Sequence, residues 1–218
     1  MIVVLIVIGL AIGVGFVAGG SLAPFGRLQI HWWGAALVGL VMQGIPATSG
    51  LGRTLGPILL VGSYALLLAF ALVNRRLRAL WLVIAGLAAN LLVIGVNGGM
   101  PVSAEALRDA GLDPARLGDA GTLKHHLMGP EDSLTPLADV IAIPQPVGAV
   151  VSIGDVALYL GVAALIVSVM LGRSGENRRP PARWFPGYRG KHLPPERRFA
   201  RGARPTDPSG GAQWGTGP

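Results

Sequence analysis

Residues 80–97 read LWLVIAGLAANLLVIGVN and contain no charged side chain. A helix needs about 20 predominantly apolar residues to cross roughly 30 Å of hydrocarbon. Four further runs of similar length and character follow the same pattern: residues 1–20, 28–45, 55–73 and 152–171. Lipid offers the backbone no hydrogen-bond partners, so each run must satisfy its own polar groups as a helix. The sequence therefore predicts an all-α polytopic membrane protein, a bundle of five transmembrane helices.

The overall composition agrees with this class of protein. Of the 218 residues, 51% are hydrophobic and only 13% are charged. The chain has no cysteine, which excludes disulfides and thiolate metal sites. The net charge of +7 lies entirely after residue 171, where ten basic residues face three acidic ones; the rest of the chain holds eight of each.

The placement of the basic residues predicts the orientation. Lysine and arginine are enriched in the cytoplasmic segments that flank membrane helices. Arg75, Arg76 and Arg78 lie between the third and fourth runs, and several more arginines follow the fifth. Five spans place both segments in the cytoplasm, with the N-terminus outside and the C-terminus inside. The first run lacks a basic n-region, so we expect it to be retained rather than cleaved as a signal peptide.

The chain divides into four parts by composition. These are residues 1–97 with four transmembrane helices, 98–151 as an extracytoplasmic loop, 152–171 as the fifth transmembrane helix, and 172–218 as a tail. The tail is rich in arginine, proline and glycine, and it carries too little apolar surface to fold alone. We expect it to be disordered in the cytoplasm and to attract anionic lipid. It shows no recognisable nucleic-acid-binding module, so no nucleic acid is expected as a partner.

The extracytoplasmic loop contains signals for short helices. Ser103 is placed to cap a helix over residues 104–110, and Gly111 is placed to end it. Further on, four apolar residues share one face if the segment is helical: Leu134, Leu137, Val140 and Ile141. This second segment is therefore predicted to lie on the membrane surface or to re-enter the membrane.

Polar residues inside the spans are candidates for function, because burying them in lipid is costly. Asn90 and Asn97 are seven residues apart on the fourth run, so a helix places them on one face. Asp155 begins the fifth run, where Ser152 and Asp155 also match a helix-capping pattern. The alternative is that these residues form hydrogen bonds between helices and fix their packing.

The loop holds the densest titratable cluster, Lys124-His125-His126. Neighbouring histidines on a helix point about 100° apart and do not easily bind one metal ion. No metal and no cofactor is therefore expected, and no catalytic constellation stands out. We expect Asn97, Asp139 and Asp155 to lie close together beneath the loop, with Lys124 or His125 as the cationic counterpart. Asn90 completes this ligand-binding set.

Several motifs resemble a known family. They are Asn97-Gly98-Gly99-Met100-Pro101-Val102-Ser103, Lys124-His125, the stretch LADVIAIP at 137–144, and Val151-Ser152-Ile153-Gly154-Asp155. They resemble the uncharacterised bacterial polytopic membrane family called domain of unknown function fifty-three-seventeen, over about residues 1–171, with Ala138 where the family prefers glycine. The resemblance implies a bacterial inner-membrane protein without established activity. It assigns structural roles to Gly98, Gly99, Pro101, Pro144, Ser152 and Gly154.

Three functional classes follow from these observations. The first is a membrane protein with an outward-facing polar pocket that binds a small molecule or a lipid headgroup. The second is an accessory subunit of a larger membrane complex, with another membrane protein as its partner. The third is an envelope or lipid-modifying enzyme that uses Asp139, Asp155 or His125. The first is the reading we favour, with membrane lipids as partners, and enzymatic activity is left open.

Overall fold

The computed structural model describes residues 2–44, 50–115, 117 and 124–173, with only the backbone described at 50–54. In this part the chain is mostly helical. Its α-helices are α1 (Ile2–Val17), α2 (Trp33–Gln43), α3 (Gly50–Val73), α4 (Leu80–Asn97), α5 (Ala104–Asp109) and α6 (Ile153–Met170). The tail predicted to be disordered lies almost wholly outside the described residues.

Within the described residues, three helices are long and apolar enough to cross a membrane. They are Leu55–Val73 within α3, Leu80–Asn97 (α4) and Ile153–Met170 (α6), with mean hydropathies of 2.2, 2.1 and 2.1. The protein is therefore membrane-embedded. The helices α1 and α2 are apolar but have 16 and 11 residues, fewer than the roughly 20 that a full crossing needs. The five-span arrangement thus stays a prediction for these two.

The second apolar run does not form one continuous helix. Its helical part begins only at Trp33, because Trp32 has a left-handed backbone with φ 59° that cannot continue a right-handed helix. The preceding segment Ala23–Arg27 forms a 3-10 turn with a proline in its first positions. The second apolar run therefore begins with an extended residue, Leu28, and its helix covers only Trp33–Gln43.

The helix α4 lies at the centre of the helical packing and contacts both α3 and α6. Its buried residues Val83 and Leu87 join Leu60 and Tyr64 of α3 in the core. Toward α6 the backbones approach closely, because a Cβ atom on Gly86 would lie 2.8 Å from the Leu158 nitrogen and closer still to the Gly154 carbonyl oxygen. Small residues permit this kind of close helix contact in membranes.

The loop between α4 and α6 is not purely helical, which corrects the all-α prediction. It contains the strands β1 (Met100–Val102), β2 (His125–Leu127), β3 (Ile141–Ile143) and β4 (Ala149–Val151). The strands β1 and β2 pair in parallel, and β3 and β4 form an antiparallel hairpin. The predicted helix after Ser103 is confirmed as α5: the Ser103 hydroxyl accepts a 3.3 Å hydrogen bond from the Ala106 N–H, and Gly111 follows with φ +73°.

The predicted helical face at residues 134–141 is wrong. Thr135–Leu137 is a 3-10 turn, and Ile141 already belongs to β3. Leu134 has a left-handed backbone with φ 57°, which excludes it from a regular helix. The backbone N–H of Asp139 bonds the Pro101 carbonyl at 3.0 Å instead of a carbonyl one turn back. The backbone of this segment therefore pairs with a strand distant in sequence, and the helix that its apolar spacing predicts does not form.

Candidate functional site

The scaffold of the site begins where α4 ends. Gly98 adopts φ +70°, the left-handed conformation that glycine takes without strain. Gly99 is buried against the loop, and a Cβ atom there would lie 3.1 Å from Nδ1 of His126. The two glycines therefore turn the chain from α4 directly into β1 and let the histidine segment pack against it.

The strand β1 holds the titratable residues of the loop in place on two sides. On one side the Met100 N–H donates to the Lys124 carbonyl at 2.7 Å. On the other side the Asp139 N–H donates to the Pro101 carbonyl at 3.0 Å, and the Asp139 carbonyl accepts from the Ser103 N–H at 2.9 Å. The Pro-Val-Ser segment thus positions Lys124 and Asp139 through backbone bonds that do not depend on their side chains.

Asp139 is a buried carboxyl group with an incomplete hydrogen-bond shell. The residue is 3% exposed, and within the described part of the chain its Oδ1 has no hydrogen-bond partner. Its Oδ2 lies 3.5 Å from Nε2 of His125. The pKa of Asp139 is raised to about 7, chiefly by burial and also by the charge of Asp155, while the charge of Lys124 acts in the opposite direction. The carboxyl therefore titrates near neutral pH.

His125 is uncharged at neutral pH. Its pKa is lowered to about 4, chiefly by burial and also by the charges of Lys124 and His126. Its contact with Asp139 is accordingly a long polar contact and not an ion pair, since at 3.5 Å between the heavy atoms it exceeds the usual hydrogen-bond range. Of the two cations expected from the sequence, this leaves Lys124 as the charged one.

Lys124 lies against Tyr64 of α3. Its Nζ atom is 5.6 Å from the centroid of the tyrosine ring, and Tyr64 is 3% exposed. Burial by itself would lower the pKa of Lys124. The opposite effect comes from the charge and the side-chain hydrogen bond of Tyr64 and from the charges of Asp155 and Asp139. Together these interactions outweigh burial, so the pKa of Lys124 is raised. The ammonium group therefore stays charged although it is largely withdrawn from water.

Asp155 and Asn90 join α6 to α4. The Asn90 amide donates to Asp155 Oδ1 at 2.7 Å, and the Ser152 hydroxyl donates to Asn90 Oδ1 at 3.0 Å. The Asp155 N–H donates to the Ser152 hydroxyl oxygen at 2.9 Å, which confirms the predicted cap. The Asp155 carboxylate accepts the bond from Asn90, so this residue serves both the cap and the contact between the two helices. Gly154 leaves room for this amide, since a Cβ atom there would collide with Asn90 Oδ1.

Asn97 is placed differently from the other predicted residues. Its side-chain amide donates to the carbonyls of Val93 at 2.9 Å and Ser133 at 3.0 Å, and its Oδ1 accepts from the Ser133 N–H at 2.8 Å. These bonds occupy the amide with backbone partners. Asn97 therefore ties the loop to the end of α4, and none of these bonds reaches Asp139 or Asp155.

A second histidine–aspartate contact, between His126 and Asp132, lies in the same loop. His126 Nε2 lies 2.9 Å from Asp132 Oδ1, and the Gly129 N–H donates to Asp132 Oδ2 at 2.8 Å. The Gly129 N–H is the main cause of a lowered pKa at Asp132, and His126 contributes. Among the residues that the structure describes, no three His, Cys, Asp or Glu side chains are grouped as metal ligands.

We call Tyr64, Asn90, Lys124, His125, Asp139 and Asp155 the polar cluster. Five of these residues were expected from the sequence, and direct contacts or electrostatic interactions connect them here. Tyr64 and Tyr159 are also polar residues within the apolar runs, but the predicted ligand-binding set did not include them. Tyr159 interacts electrostatically with Asp155, Asp139 and Tyr64. A tyrosine four residues after Asp155 on a helix was the available signal for Tyr159. The cluster thus combines one cation, one phenol group and two carboxyl groups.

The comparisons with known proteins identify a family and no characterised relative. The family model described as "Family of unknown function (DUF5317)" matches residues 27–167. No curated protein and no solved structure matches the chain. The match confirms the resemblance that the sequence motifs indicated. It includes every residue of the polar cluster, but it begins at residue 27, so α1 lies outside it.

Proposed function

Because this chain belongs to the DUF5317 family, whose function is unknown, we propose a function from the polar cluster: it binds a small molecule or a lipid headgroup at an outward-facing polar pocket. The residues of this proposed site are Asn90, Lys124, His125, Asp139 and Asp155 from the sequence, together with Tyr64. Asn97 is proposed to support the site by holding the loop against α4.

One observation carries this proposal. The Lys124 ammonium interacts electrostatically with the carboxyl groups of Asp139 and Asp155, and one carboxyl oxygen, Asp139 Oδ1, has no hydrogen-bond partner in the described part of the chain. Leaving a buried polar atom unsatisfied costs about 1–3 kcal/mol. A purely structural cluster would gain stability by satisfying that atom, whereas a ligand donor can satisfy it on binding.

The test is the composition of the purified protein. We expect native mass spectrometry in mild detergent to find a small molecule or lipid bound to the wild-type chain, and Lys124→Gln to weaken this binding about tenfold. Loss of a hydrogen bond to a charged group costs roughly 1.5–3 kcal/mol, and 1.4 kcal/mol is tenfold in affinity. The matched control is Arg108→Gln, an exposed cation of the same loop, which should leave binding unchanged. Absence of any bound molecule, or equal loss in both variants, would contradict the proposal.

The accessory-subunit alternative is supported by one feature of α1. Among the described residues, a Cβ atom added at Gly9 or Gly13 would meet nothing within 4 Å, whereas one at Gly15 would collide with Met170. Gly9 and Gly13 thus form a small-xxx-small step that faces no neighbour in the described part of the chain, the kind of surface that helices use to associate in membranes. A stoichiometric protein in the same mass spectrum, in place of a lipid or small molecule, would favour this alternative.

The enzyme alternative depends on Asp139. Its pKa of about 7 suits a general acid or base, because such groups act best when their pKa lies near the working pH. Chemical change of the bound molecule during incubation, absent in Asp139→Asn, would favour an envelope or lipid-modifying enzyme.

The orientation belongs to this proposal, because the pocket faces outward only if the loop does. We propose five spans, with the N-terminus outside and the C-terminus in the bacterial cytoplasm. A reporter enzyme active only outside the cytoplasm should be active when fused after Asp119 and silent when fused after Gly187. These two positions lie in the loop and the tail of the sequence. The reverse pattern of activity would overturn the orientation.

A further inference from the structure

An apolar groove lies between α1 and α6. It is a cavity of about 480 Å³, and aliphatic side chains line it except for the ring of one tyrosine. The lining includes Leu10 and Val14 of α1 and Tyr159, Ala163 and Val167 of α6.

The groove runs along the helices and not across them. The C-terminal ends of α1 and α6 meet, because a Cβ atom on Gly15 would collide with Met170, and the Ser21 N–H donates to the Met170 carbonyl at 3.0 Å. The two helices therefore run in the same direction. From Tyr159 to Val167 the groove extends about 12 Å, at about 1.5 Å of helix per residue.

Tyr159 connects the groove to the polar cluster. Its ring lines the groove, and it interacts electrostatically with Asp155, Asp139 and Tyr64. Tyr159 lies one helical turn after Asp155, so the end of the groove at Tyr159 is about 6 Å from Asp155 along the axis of α6. The distance from Asp155 to Val167 is then about 18 Å, comparable with the roughly 15 Å thickness of one hydrocarbon leaflet.

We propose that the groove and the polar cluster together hold one membrane phospholipid with a primary-amine headgroup, with an acyl chain of that lipid in the groove. This inference rests on the proposed function and names its ligand. The continuity of an apolar groove with a site of mixed charge matches a molecule with a charged head and an apolar chain.

The charges of the cluster select the headgroup. The Lys124 ammonium is placed to bind a phosphate oxygen, which is an anionic acceptor. The carboxyl groups of Asp139 and Asp155 accept hydrogen bonds and therefore favour a donor, and Asp139 Oδ1 has none from the described residues. An ethanolamine-type headgroup supplies N–H donors, whereas the quaternary ammonium of a choline headgroup has no N–H. The choice of lipid thus comes from the headgroup, because lipid tails are as apolar as the groove itself.

The experiment is a photo-crosslinking measurement on the full chain in lipid nanodiscs. The probe is phosphatidylethanolamine with a diazirine in the middle of one acyl chain, and the attachment sites are mapped by mass spectrometry. We expect saturable labelling of Leu10, Val14 or residues 163–167, which excess phosphatidylethanolamine abolishes and excess phosphatidylcholine leaves in place. The lipid-exposed residues Leu92 and Val96 of α4 should show only background labelling that neither lipid competes.

A pair of variants tests the groove itself. Ala163→Phe fills the groove and should reduce the saturable labelling about tenfold, whereas Ala88→Phe, the same change at an exposed position of α4, should leave it unchanged. The tenfold estimate corresponds to losing the contacts of roughly two methylene groups. If Ala163→Phe fails to fold, the competition between the two lipids on the wild-type chain still decides the question.

The outcomes separate the two proposals. A second probe carries the diazirine on the headgroup. If it labels the loop at Lys124 saturably while the chain probe labels nothing saturably on α1 or α6, the lipid inference is overturned and the polar pocket stands. Equal competition by phosphatidylcholine overturns the primary-amine selectivity. If neither probe labels saturably and no small molecule is found on the purified chain, both proposals fail.

Discussion

Replacing Gly86 with alanine is expected to destabilise the protein strongly, with the melting temperature in mild detergent as the measurement. A Cβ atom at this position would collide with the Gly154 carbonyl oxygen and lie 2.8 Å from the Leu158 nitrogen. Both are backbone atoms, so no side chain can rotate away, and α4 must separate from α6. Overpacking of this kind costs typically 1–3 kcal/mol, and we expect about 3 kcal/mol here. The separation also weakens the bond between Asn90 and Asp155.

The matched control is Gly95→Ala on the same helix. A Cβ atom added at Gly95 would meet none of the described residues within 4 Å, so the substitution introduces no collision with them. Alanine also favours the helix over glycine by up to about 1 kcal/mol. We therefore expect an unchanged or higher melting temperature for this variant. Equal melting temperatures for Gly86→Ala and the wild type would show that α4 and α6 do not pack as closely as described.

Replacing Asp139 with asparagine is expected to change how stability depends on pH. The pKa of Asp139 is raised from 3.8 to about 7, chiefly by burial. Between these values the folded protein binds more protons than the unfolded chain, so this residue's contribution to stability is present below pH 4 and is lost as the pH rises to 7 and above. Asparagine resembles the protonated acid in shape and does not titrate. The variant should therefore gain stability relative to the wild type as the pH rises.

The expected size of this gain is roughly 2–3 kcal/mol between about pH 5 and pH 8, which follows from a shift of about three pKa units. For a protein of this size it corresponds to roughly 5–10 °C in the difference between the two melting temperatures. The neighbouring groups His125 and Lys124 are present in both proteins, so their own titration largely cancels in the difference. Asp109→Asn, an exposed carboxylate of α5, is the control and should follow the wild-type profile. A constant difference between wild type and Asp139→Asn across this range would contradict a buried carboxyl that titrates near neutrality.

The features predicted correctly from the sequence are those encoded within short segments. The apolar runs at 55–73, 80–97 and 152–171 predict the three long helices, because a chain in lipid must satisfy its backbone bonds locally. The caps at Ser103 and Ser152 were also predictable, since a hydroxyl and the N–H three residues later are neighbours along the chain. Even so, Trp32 in its left-handed conformation shows that an apolar run does not by itself determine where a helix begins.

The candidate site depends both on residue types visible in the sequence and on contacts that only the tertiary structure creates. Its chemistry-bearing residues Asn90, Lys124, His125, Asp139 and Asp155 were recognisable as unusual polar residues near the ends of apolar runs. Their grouping required the strand β1, whose two edges hold Lys124 and Asp139 through backbone bonds. Asn97 shows the difference most clearly. Its place on the same predicted helix face as Asn90 suggested a ligand contact, but its amide bonds Ser133, 36 residues away in sequence.

The sequence by itself thus determined the helical, membrane-embedded class of the protein, because hydrophobicity and length act within one segment at a time. Tertiary structure alone decided that residues 134–141 form a turn and a strand, that Tyr64 and Tyr159 join the carboxylates, and that an apolar groove opens between α1 and α6. These features depend on pairs of segments far apart in the chain. Their hydrogen bonds and contacts become favourable only after both partners are in place, so no pattern within either segment encodes them.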